Sequence, residues 1–569
     1  MRDGPVVLGV NRTQDASVCL MHGSDVVYAI QKERLTRQKH HWGKLDDFRK
    51  TYLAHLPDLN KPIDVLVECY SSDTEIKNLS AYEQELAETL SFSPDCRRTR
   101  ISHHLAHVYS VFHPSPFEDA AVMIIDGQGS PVSEFTEKWS GAKDVPANWR
   151  EVSSFYRADR EHVECIGKQL WDRNERRLVG LGMFYFLLTQ TIFPGEGNEG
   201  KVMGLAPHGD PEALGLPSLD VDGAQVTIPS RWIEILRERE RFRYASGDRS
   251  RFRDAANLSA AGQRAFEEAV LDVARWLHRQ TGAQNLCFAG GTGLNCSTND
   301  RLLRETPFQR VFIPPAPSDA GTSLGCAVYG LTELGGMRCD YRWENDYLGP
   351  EPRLADIEAA LSDADDLIVE HIEQPGDLCT RVADLLCATK VVALYHGRSE
   401  FGPRALGHRS ILGDPRHGEV RDWINSRVKE REWFRPLAPV VLLERAEEFF
   451  DIRRPSPFMQ FAAPVRPQAA DIIPAVTHVD CTARLQTVGE QDDPFLRSLL
   501  QAFDARTGVP VVLNTSFNRK EEPIVETPAQ ALESFRRTPI HALAMPPYLV
   551  RKRVEPDPVA PAGKTENHA

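Results

Sequence analysis

A chain of 569 residues is too long for one ordinary hydrophobic core, so about two to four domains are expected. With 41% apolar and 26% charged residues it has the balance of a folded globular protein and not of a disordered or fibrous one. A formal charge of −14 excludes the basic surface that nucleic-acid binding needs, and the sequence has neither a membrane-length apolar run nor a signal-peptide pattern, so a cytoplasmic protein acting on a small substrate is expected.

Along the chain, VVLGV (6–10), SVCLM (17–21) and VVYAIQ (26–31) are β-branched runs separated by polar turns and predict a three-stranded antiparallel meander. The same pattern returns at AAVMIID (120–126), with hairpin partners expected around VSEFTEKWSG (132–141) and REVSSFYRADR (150–160). Two such units, each followed by helices, predict a duplicated ribonuclease-H-like fold whose repeat is topological, without residue identity between the copies. Helical spacing over 260–280 leads into NLCFAGGTGLNC, a short strand and a glycine turn. An irregular stretch places a domain boundary near 340–353; beyond it RLADIEAAL and TRVADLLCAT predict helices, and VVALYH and VPVVLNTS strands. The Pro-rich end, 553–569, is expected to be a disordered tail. Eleven scattered cysteines without a C-x-x-C pair indicate neither a disulfide framework nor a zinc ribbon.

In HHLAH, His103 and His107 stand four apart, on one helix face, close enough to share a metal ion; a hydrogen-bonded helix face is the alternative. His104 occupies the place where an H-E-x-x-H peptidase needs glutamate, so that chemistry lacks its base. Asp126 ends an apolar strand before Gly127 and Gly129, and Asp319 precedes a small-residue helix start with Ser323; a β-turn and an N-cap are their plainer readings. Two histidines and two aspartates suit a borderline ion such as iron or zinc. The glycine-rich stretches GEGNEGKVMGLAPHGD (195–210), with Lys201 and Gly204, and FAGGTGLNCSTN (288–299), with Gly290, Gly291 and Asn295, match no Walker pattern. Together with DGQG and SDAGTS they are close-approach turns of the kind that cradle a nucleotide.

The C-terminal half carries a basic run: Arg398, Arg404, Arg409, Lys429, Arg431 and Arg435 lie among turn residues. Guanidinium forks suit phosphate and carboxylate oxygens, and an anion pocket stands here against a solvated charged surface. Thr482, Arg484 and Gln486, and Asn514, Ser516 and Asn518, alternate as residues facing one side of a strand.

HHLAH, IIDGQGS, GEGNEGKVMGLAPHGDP, AGGTGLNC, PPAPSDAGTSLG, HGRSEFGPRALGHRSIL, NSRVKEREWFRPLAP, TARLQTV and VVLNTSFNRKEEPIVETP follow in an order that resembles the O-carbamoyltransferases of nodulation and antibiotic biosynthesis, over nearly the whole chain. The resemblance implies an α/β protein: a duplicated actin-like Kae1-type domain at 1–345 that transfers carbamoyl, and a YrdC-like α/β domain at 346–552 that makes carbamoyl adenylate from carbamoyl phosphate and ATP with Mg(2+). It implies His103, His107, Asp126 and Asp319 as ligands of Fe(2+) or another divalent ion. Lys39, Arg404, Lys429, Arg435, Arg484, Asn514 and Ser516 are implied as the carbamoyl phosphate set, with Lys39 and Arg404 also catalytic. Gly127, Gly129, Lys201, Gly204, Gly290, Gly291, Asn295 and Ser323 are expected as the nucleotide-binding set.

The partners implied are ATP, carbamoyl phosphate and a small-molecule alcohol, with the lean toward a polyketide or macrolactam antibiotic; no nucleic acid or membrane is expected, and a homodimer is compatible with the reading. A tRNA threonylcarbamoyl enzyme is disfavoured by the acidic balance and by the order of the fused domains, and an actin-like kinase would leave the four ligands and the second basic domain idle. One departure stands out. Relatives often carry His-Asp in the first turn, whereas here NRTQDAS has Gln14 and Asp15. Gln14 cannot take a proton and is expected to line the acceptor side, leaving Asp15, His40, His41 or a substrate group as the base, or a hydroxyl that is only oriented and loses its proton late.

Overall fold

The computed structural model describes residues 4–44, 46–56, 61–69, 79–139, 141, 144–174, 177–245 and 248–559. The chain divides into two compact units, Met1–Glu344 and Asn345–Ala569.

In the first unit β-branched, alternating segments form strands where both faces can be covered. β1 (Val6–Asn11), β2 (Ser17–His22) and β3 (Asp25–Gln31) form the antiparallel meander, and β4 (Ile63–Cys69) and β5 (Phe92–Arg100) add parallel strands, giving the order β3-β2-β1-β4-β5. β6 (Asp119–Ile125), β7 (Arg150–Asp159) and β8 (Val163–Trp171) form a second meander. After a small hairpin, β9 (Asp220–Asp222) and β10 (Gln225–Thr227), the strands β11 (Asn285–Ala289) and β12 (Arg310–Phe312) complete a sheet ordered β12-β11-β6-β7-β8. The two sheets therefore share one strand order and one pattern of directions.

The expected hairpin partner at 132–141 is corrected: Val132–Glu134 is a 3-10 turn, and the third strand is β8, which sequence reading passed over. The helix expected over 260–280 runs Arg249–Thr281, because the Asp248 side chain caps the amides of Ser250 and Arg251 and Gly282, at φ 64°, ends it. Charged residues in its first turns hide the apolar spacing there.

Each sheet is followed by a helix that returns to its ends: His103–Val111 after β5 and Thr322–Tyr329 after β12. These two helices meet with almost no side chain between them. A Cβ on Gly325 would lie 1.9 Å from the Ala106 carbonyl oxygen, and one on Gly9 of β1 would lie 2.0 Å from that of Ser323. Small residues here are the condition for close backbone approach.

In the second unit eight strands form one mixed sheet: β13 (Leu367–His371), β14 (Val392–Tyr395), β15 (Arg409–Gly413), β16 (Ala438–Leu442), β19 (Gln486–Val488), β20 (Val511–Ser516), β21 (Ala542–Met545) and β22 (Tyr548–Lys552), in the order β13-β22-β21-β14-β15-β20-β16-β19. β17 (Ala462–Pro464) and β18 (Thr482–Arg484) pair separately. Strand alternation splits the core in two: Val392, Leu394, Leu412, Val440 and Val512 pack with the helices Pro375–Cys387 and Pro494–Thr507, while Ala393, Ile411, Val441, Val511 and Leu513 face the opposite cluster. The single face expected for Thr482, Arg484 and Gln486 is corrected, since the chain changes sheets at Leu485 and leaves Arg484 on β18 and Gln486 on β19. Of the expected tail, residues up to 559 are described: Glu555 pairs with Lys390 at 2.6 Å and Val559 packs on the core; residues 560–569 lie outside the described residues.

Replacing Gly325 with alanine should force the two helices apart and destabilise the first unit by about 2 kcal/mol through overpacking, read as a lowered midpoint in denaturant unfolding. An unchanged midpoint would refute the close contact.

Candidate metal centre and anion pocket

The helix His103–Val111 begins at Ser102, and its first turn is held from behind by a buried polar network. Glu151 on β7 accepts hydrogen bonds from the backbone amides of His104 (3.0 Å) and Ser130 (3.1 Å), and Ser130 Oγ accepts from the His103 amide at 3.0 Å. A carboxylate there also complements the positive end of the helix dipole. Lys168 Nζ, fully buried on β8, lies 2.6 Å from Glu151 and 2.7 Å from Glu137, and donates to Ser154 Oγ and Tyr156 OH. Burial pushes the ammonium pKa down, but Glu151, Tyr156 and Glu137 overcome it and hold Lys168 charged.

This frame aims His103 and His107 at the two strand and helix ends. His103 Nε2 and His107 Nε2 are 3.2 Å apart. His103 Nε2 is 3.2 Å from Asp126 Oδ2 and 3.4 Å from Asp319 Oδ1, and His107 Nε2 is 3.9 Å from the same Asp319 oxygen. The four ligand atoms all lie within 4.8 Å of one another, and the side chains are buried apart from a partly exposed Asp319. An ion with bonds of about 2 Å to nitrogen and oxygen spaces its ligands by roughly 3 Å, so the group fits one divalent cation. The outer contacts orient it: Cys69 Sγ is 3.5 Å from His103 Nδ1, Gly291 N donates to Asp126 Oδ1 at 2.9 Å, and Thr13 Oγ1 donates to Asp319 Oδ2 at 3.0 Å. Burial, then the neighbouring His103, depress His107 to about 3, so its imidazole stays neutral and available as a donor. His104, the third histidine of HHLAH, points away to Ser154 Oγ at 2.7 Å.

The other first-unit residues divide by what occupies them. Gly129 and Gly290 are demanded by sterics: a Cβ would meet Glu151 and His104 at 2.8 Å in one case and the Ile125 carbonyl oxygen at 2.2 Å in the other. Asn295 caps the helix Cys296–Glu305 and exchanges hydrogen bonds of 3.0 Å with Gln263, and Ser323 Oγ accepts from Ser17 Oγ at 2.8 Å. Gly127 has open space above it. Lys201 and Gly204 lie on the helix Glu199–Leu205, with Lys201 Nζ 5.6 Å from the centre of the Phe193 ring. Lys39 is exposed in the first unit, and Gln14 is half-buried with its carbonyl accepting from Asn11 Nδ2 at 3.1 Å.

In the second unit the turn 404–406 that carries Arg404 is hung from three side chains. Asn514 Nδ2 donates to the Ala405 carbonyl at 3.2 Å, Gln486 Nε2 to that of Leu406 at 2.6 Å, and Glu400 Oε1 accepts from the amides of Leu406, His408 and Arg409. Lys429 Nζ donates to Ser516 Oγ at 3.3 Å, to the Ser516 carbonyl, and to Asn518 Oδ1 at 2.7 Å. Burial and the facing Arg435 hold Arg431 below the usual guanidinium range; burial and Arg484 do the same to Arg435, against Glu432. The three guanidinium groups are half-buried and repel one another, with Arg435 Nη1 3.7 Å from Glu432 and Arg431 Nε donating to Asn425 Oδ1 at 2.8 Å, a local excess of positive charge that suits an anion. Arg398 and Arg409, offered by sequence to the same pocket, serve the fold: Arg398 donates to the carbonyls of Leu348 and Gly349, and Arg409 to those of His396 and Gly397. Glu151, Lys168, Thr13 and Cys69 escaped sequence reading, since an inward lysine or a strand-end cysteine carries no local pattern.

Residues 81–328 match the family model for the carbamoyltransferase N-terminus and 383–552 that for the carbamoyltransferase C-terminus. The chain belongs to the carbamoyltransferase family and is an enzyme of that family. Its relatives include nodulation protein NolNO of Sinorhizobium fredii, 34% identical over 95% of this chain and 79% of that one, and nodulation protein NolO of Bradyrhizobium diazoefficiens, 37% identical over 80% and 79%. A crystal structure of full-length HypF in its phosphate- and nucleotide-bound form aligns at 14% identity and a TM-score of 0.37, over 60% of this chain and 57% of that one. No helix among the described residues is long and apolar enough to cross a membrane.

Cys69→Ala, which strips His103 Nδ1 of its neighbour, should weaken divalent-ion binding about 10- to 100-fold, and His107→Ala should weaken it further, both read by competition with a chromogenic chelator. Equal affinity in wild type and His107→Ala would remove this group as the site.

Proposed function

We propose that this enzyme is an ATP-dependent O-carbamoyltransferase: in the second unit, YrdC-like, water cleaves carbamoyl phosphate to carbamate and inorganic phosphate, and the carbamate attacks the α-phosphorus of ATP to give carbamoyl adenylate and pyrophosphate; the first, actin-like and Kae1-like, passes the carbamoyl group to the hydroxyl of a small molecule. The observation that carries the reading is the mutual repulsion of the half-buried Arg431, Arg435 and Arg484 in a segment that matches the carbamoyltransferase C-terminus, since like charges held near one another are stabilised when an anion joins them.

A carbamoyl carbon is a poor electrophile, because nitrogen and oxygen both donate into it, and a mixed anhydride with AMP supplies the leaving group that transfer to an alcohol needs. The cations at Arg404, Lys429, Arg435 and Arg484 would hold phosphate oxygens and offset the charge that builds at phosphorus. Asn514 and Gln486 keep the Arg404 turn in place while this happens. In the first unit His103, His107, Asp126 and Asp319 would hold Fe(2+) or another divalent ion, which when bound supplies Lewis-acid stabilisation of phosphate oxygens. The buried Lys168–Glu151 pair keeps the helix start, and with it both imidazoles, in one orientation.

The test is pyrophosphate release from ATP that depends on carbamoyl phosphate, followed by mass spectrometry of a panel of alcohols for the gain of one carbamoyl group in place of a hydrogen. Arg484→Ala should lower pyrophosphate release about 100- to 1,000-fold. ADP formation that ignores carbamoyl phosphate would replace this reading with a kinase.

A further inference from the structure

The turn after β1 carries Gln14, whose amide cannot accept a proton at neutral pH, next to Asp15, whose carboxylate is already engaged. Asp15 Oδ1 accepts from His40 Nδ1 at 2.8 Å. A carboxylate of this kind only accepts, so Nδ1 carries a proton, and when the imidazole is neutral its lone pair is on Nε2. The His40 amide is held separately by Glu33 Oε2 at 3.1 Å.

Three further observations set this pair apart from an ordinary surface contact. Asp15 and His40 are both non-glycine residues in the left-handed region, at φ 51° and 53°, a conformation that persists where its surroundings over-determine it and that gathers at functional sites. His40 Nε2 faces the turn GEGNEG, where a Cβ on Gly197, itself at φ 72°, would lie 2.2 Å away. The imidazole edge therefore packs against Gly197, a position only glycine can fill beside it, while the His40 side chain stays 30% exposed. Finally, Asn11 Nδ2 donates at 3.0–3.2 Å to the carbonyl oxygens of Gln14, Asp15 and Asp319, which ties the turn bearing the pair to one of the four candidate metal ligands.

We propose that His40 is the general base of carbamoyl transfer in this chain, with Asp15 as the residue that fixes its tautomer and orientation. The inference rests on the transferase reading given above. In the step, the acceptor oxygen bonds to the carbamoyl carbon while its proton passes to His40 Nε2. The bond from that carbon to the bridging oxygen of the anhydride breaks, and its electron pair leaves on AMP. The acceptor hydroxyl would then lie between the Gly197 turn and the metal group, and Gln14 would line it as a hydrogen-bonding side chain.

The charged groups that face His40 are Asp15 from the β1 turn, Glu33 from the helix Lys32–Thr36 and Glu199 from the helix Glu199–Leu205. The Asp15 hydrogen bond, opposed by burial and assisted by the charges of Asp15, Glu33 and Glu199, raises His40 to about 9. A base must be deprotonated to act, so transfer should rise with pH along a limb near that value.

The experiment uses the full chain with ATP, carbamoyl phosphate and glycerol as the hydroxyl probe, and reads AMP and pyrophosphate in the same reaction as a function of pH. His40→Gln should lower the ratio of AMP to pyrophosphate about 100-fold. Asp15→Asn should move the alkaline limb down toward the ordinary histidine range of about 6.5, a shift that a merely structural role would not cause. Gly197→Ala, whose methyl group takes the space of Nε2, should reproduce the fall in ratio with His40 and Asp15 both unsubstituted. Persisting pyrophosphate release reports that the second unit of each variant is intact, and divalent-ion binding equal to wild type, read by competition with a chromogenic chelator, reports that the first unit is folded. A His40→Gln ratio equal to wild type, or an Asp15→Asn profile that superimposes on it, overturns the assignment. Wild-type protein without carbamoyl phosphate-dependent pyrophosphate release overturns the transferase reading itself, and the proposal with it.

Discussion

The candidate metal centre depends on the bare contact between the helices His103–Val111 and Thr322–Tyr329. Gly325 lets the second helix lie directly against the Ala106 carbonyl, and Gly9 lets β1 lie directly against the second helix. A single methyl group at either glycine would meet backbone oxygen at about van der Waals overlap, where repulsion is steep and the core has no slack to absorb it. Because each helix follows its own copy of the five-stranded sheet, this contact brings together positions from both copies: His103 and His107 from one helix, Asp319 from the start of the other, Asp126 from the end of β6.

Around that contact the protein places charges at considerable cost. Lys168 and Glu151 are fully buried, and a buried pair is seldom favourable by its Coulomb energy alone. Here the carboxylate also takes two backbone amides at the helix start, so the pair replaces water that the amides would otherwise require. The two units also differ in electrostatic character. In the first, two imidazoles and two carboxylates converge and invite a cation; in the second, the charges of Arg431, Arg435 and Arg484 repel one another and invite an anion, within a chain whose net charge is −14. Local arrangement, and not overall charge, decides what each site attracts.

Much of the architecture is legible in the sequence. The β-branched runs VVLGV, SVCLM and VVYAIQ, set apart by polar turns, predict β1 to β3, because strands covered on both faces run apolar. The strand β8 was missed because VECIGKQLW turns an isolated lysine inward, and only the partner carboxylates at Glu151 and Glu137 make that tolerable. The stretch 482–486 misled for the opposite reason: its alternation is regular, yet the chain crosses between two sheets at Leu485, which no local pattern records. Among the arginines, residue type alone does not separate Arg398 and Arg409, spent on backbone carbonyls, from those whose charges repel one another.

By itself the sequence determined which chemistry was on offer: an i, i+4 histidine pair, aspartates at strand and helix ends, glycines where backbones must touch, and arginines among turns. These are properties of neighbouring residues, set by helix and strand periodicity and by the donor groups each side chain carries. Only the tertiary structure decided which of them meet. His103 and Asp319 are more than two hundred positions apart, as are Asn11 and Asp319, and their meeting follows from helix packing across two copies of a sheet. The same packing sends His104 to Ser154 and holds His40 against Asp15, because burial leaves each polar atom one partner within reach and the fold chooses it.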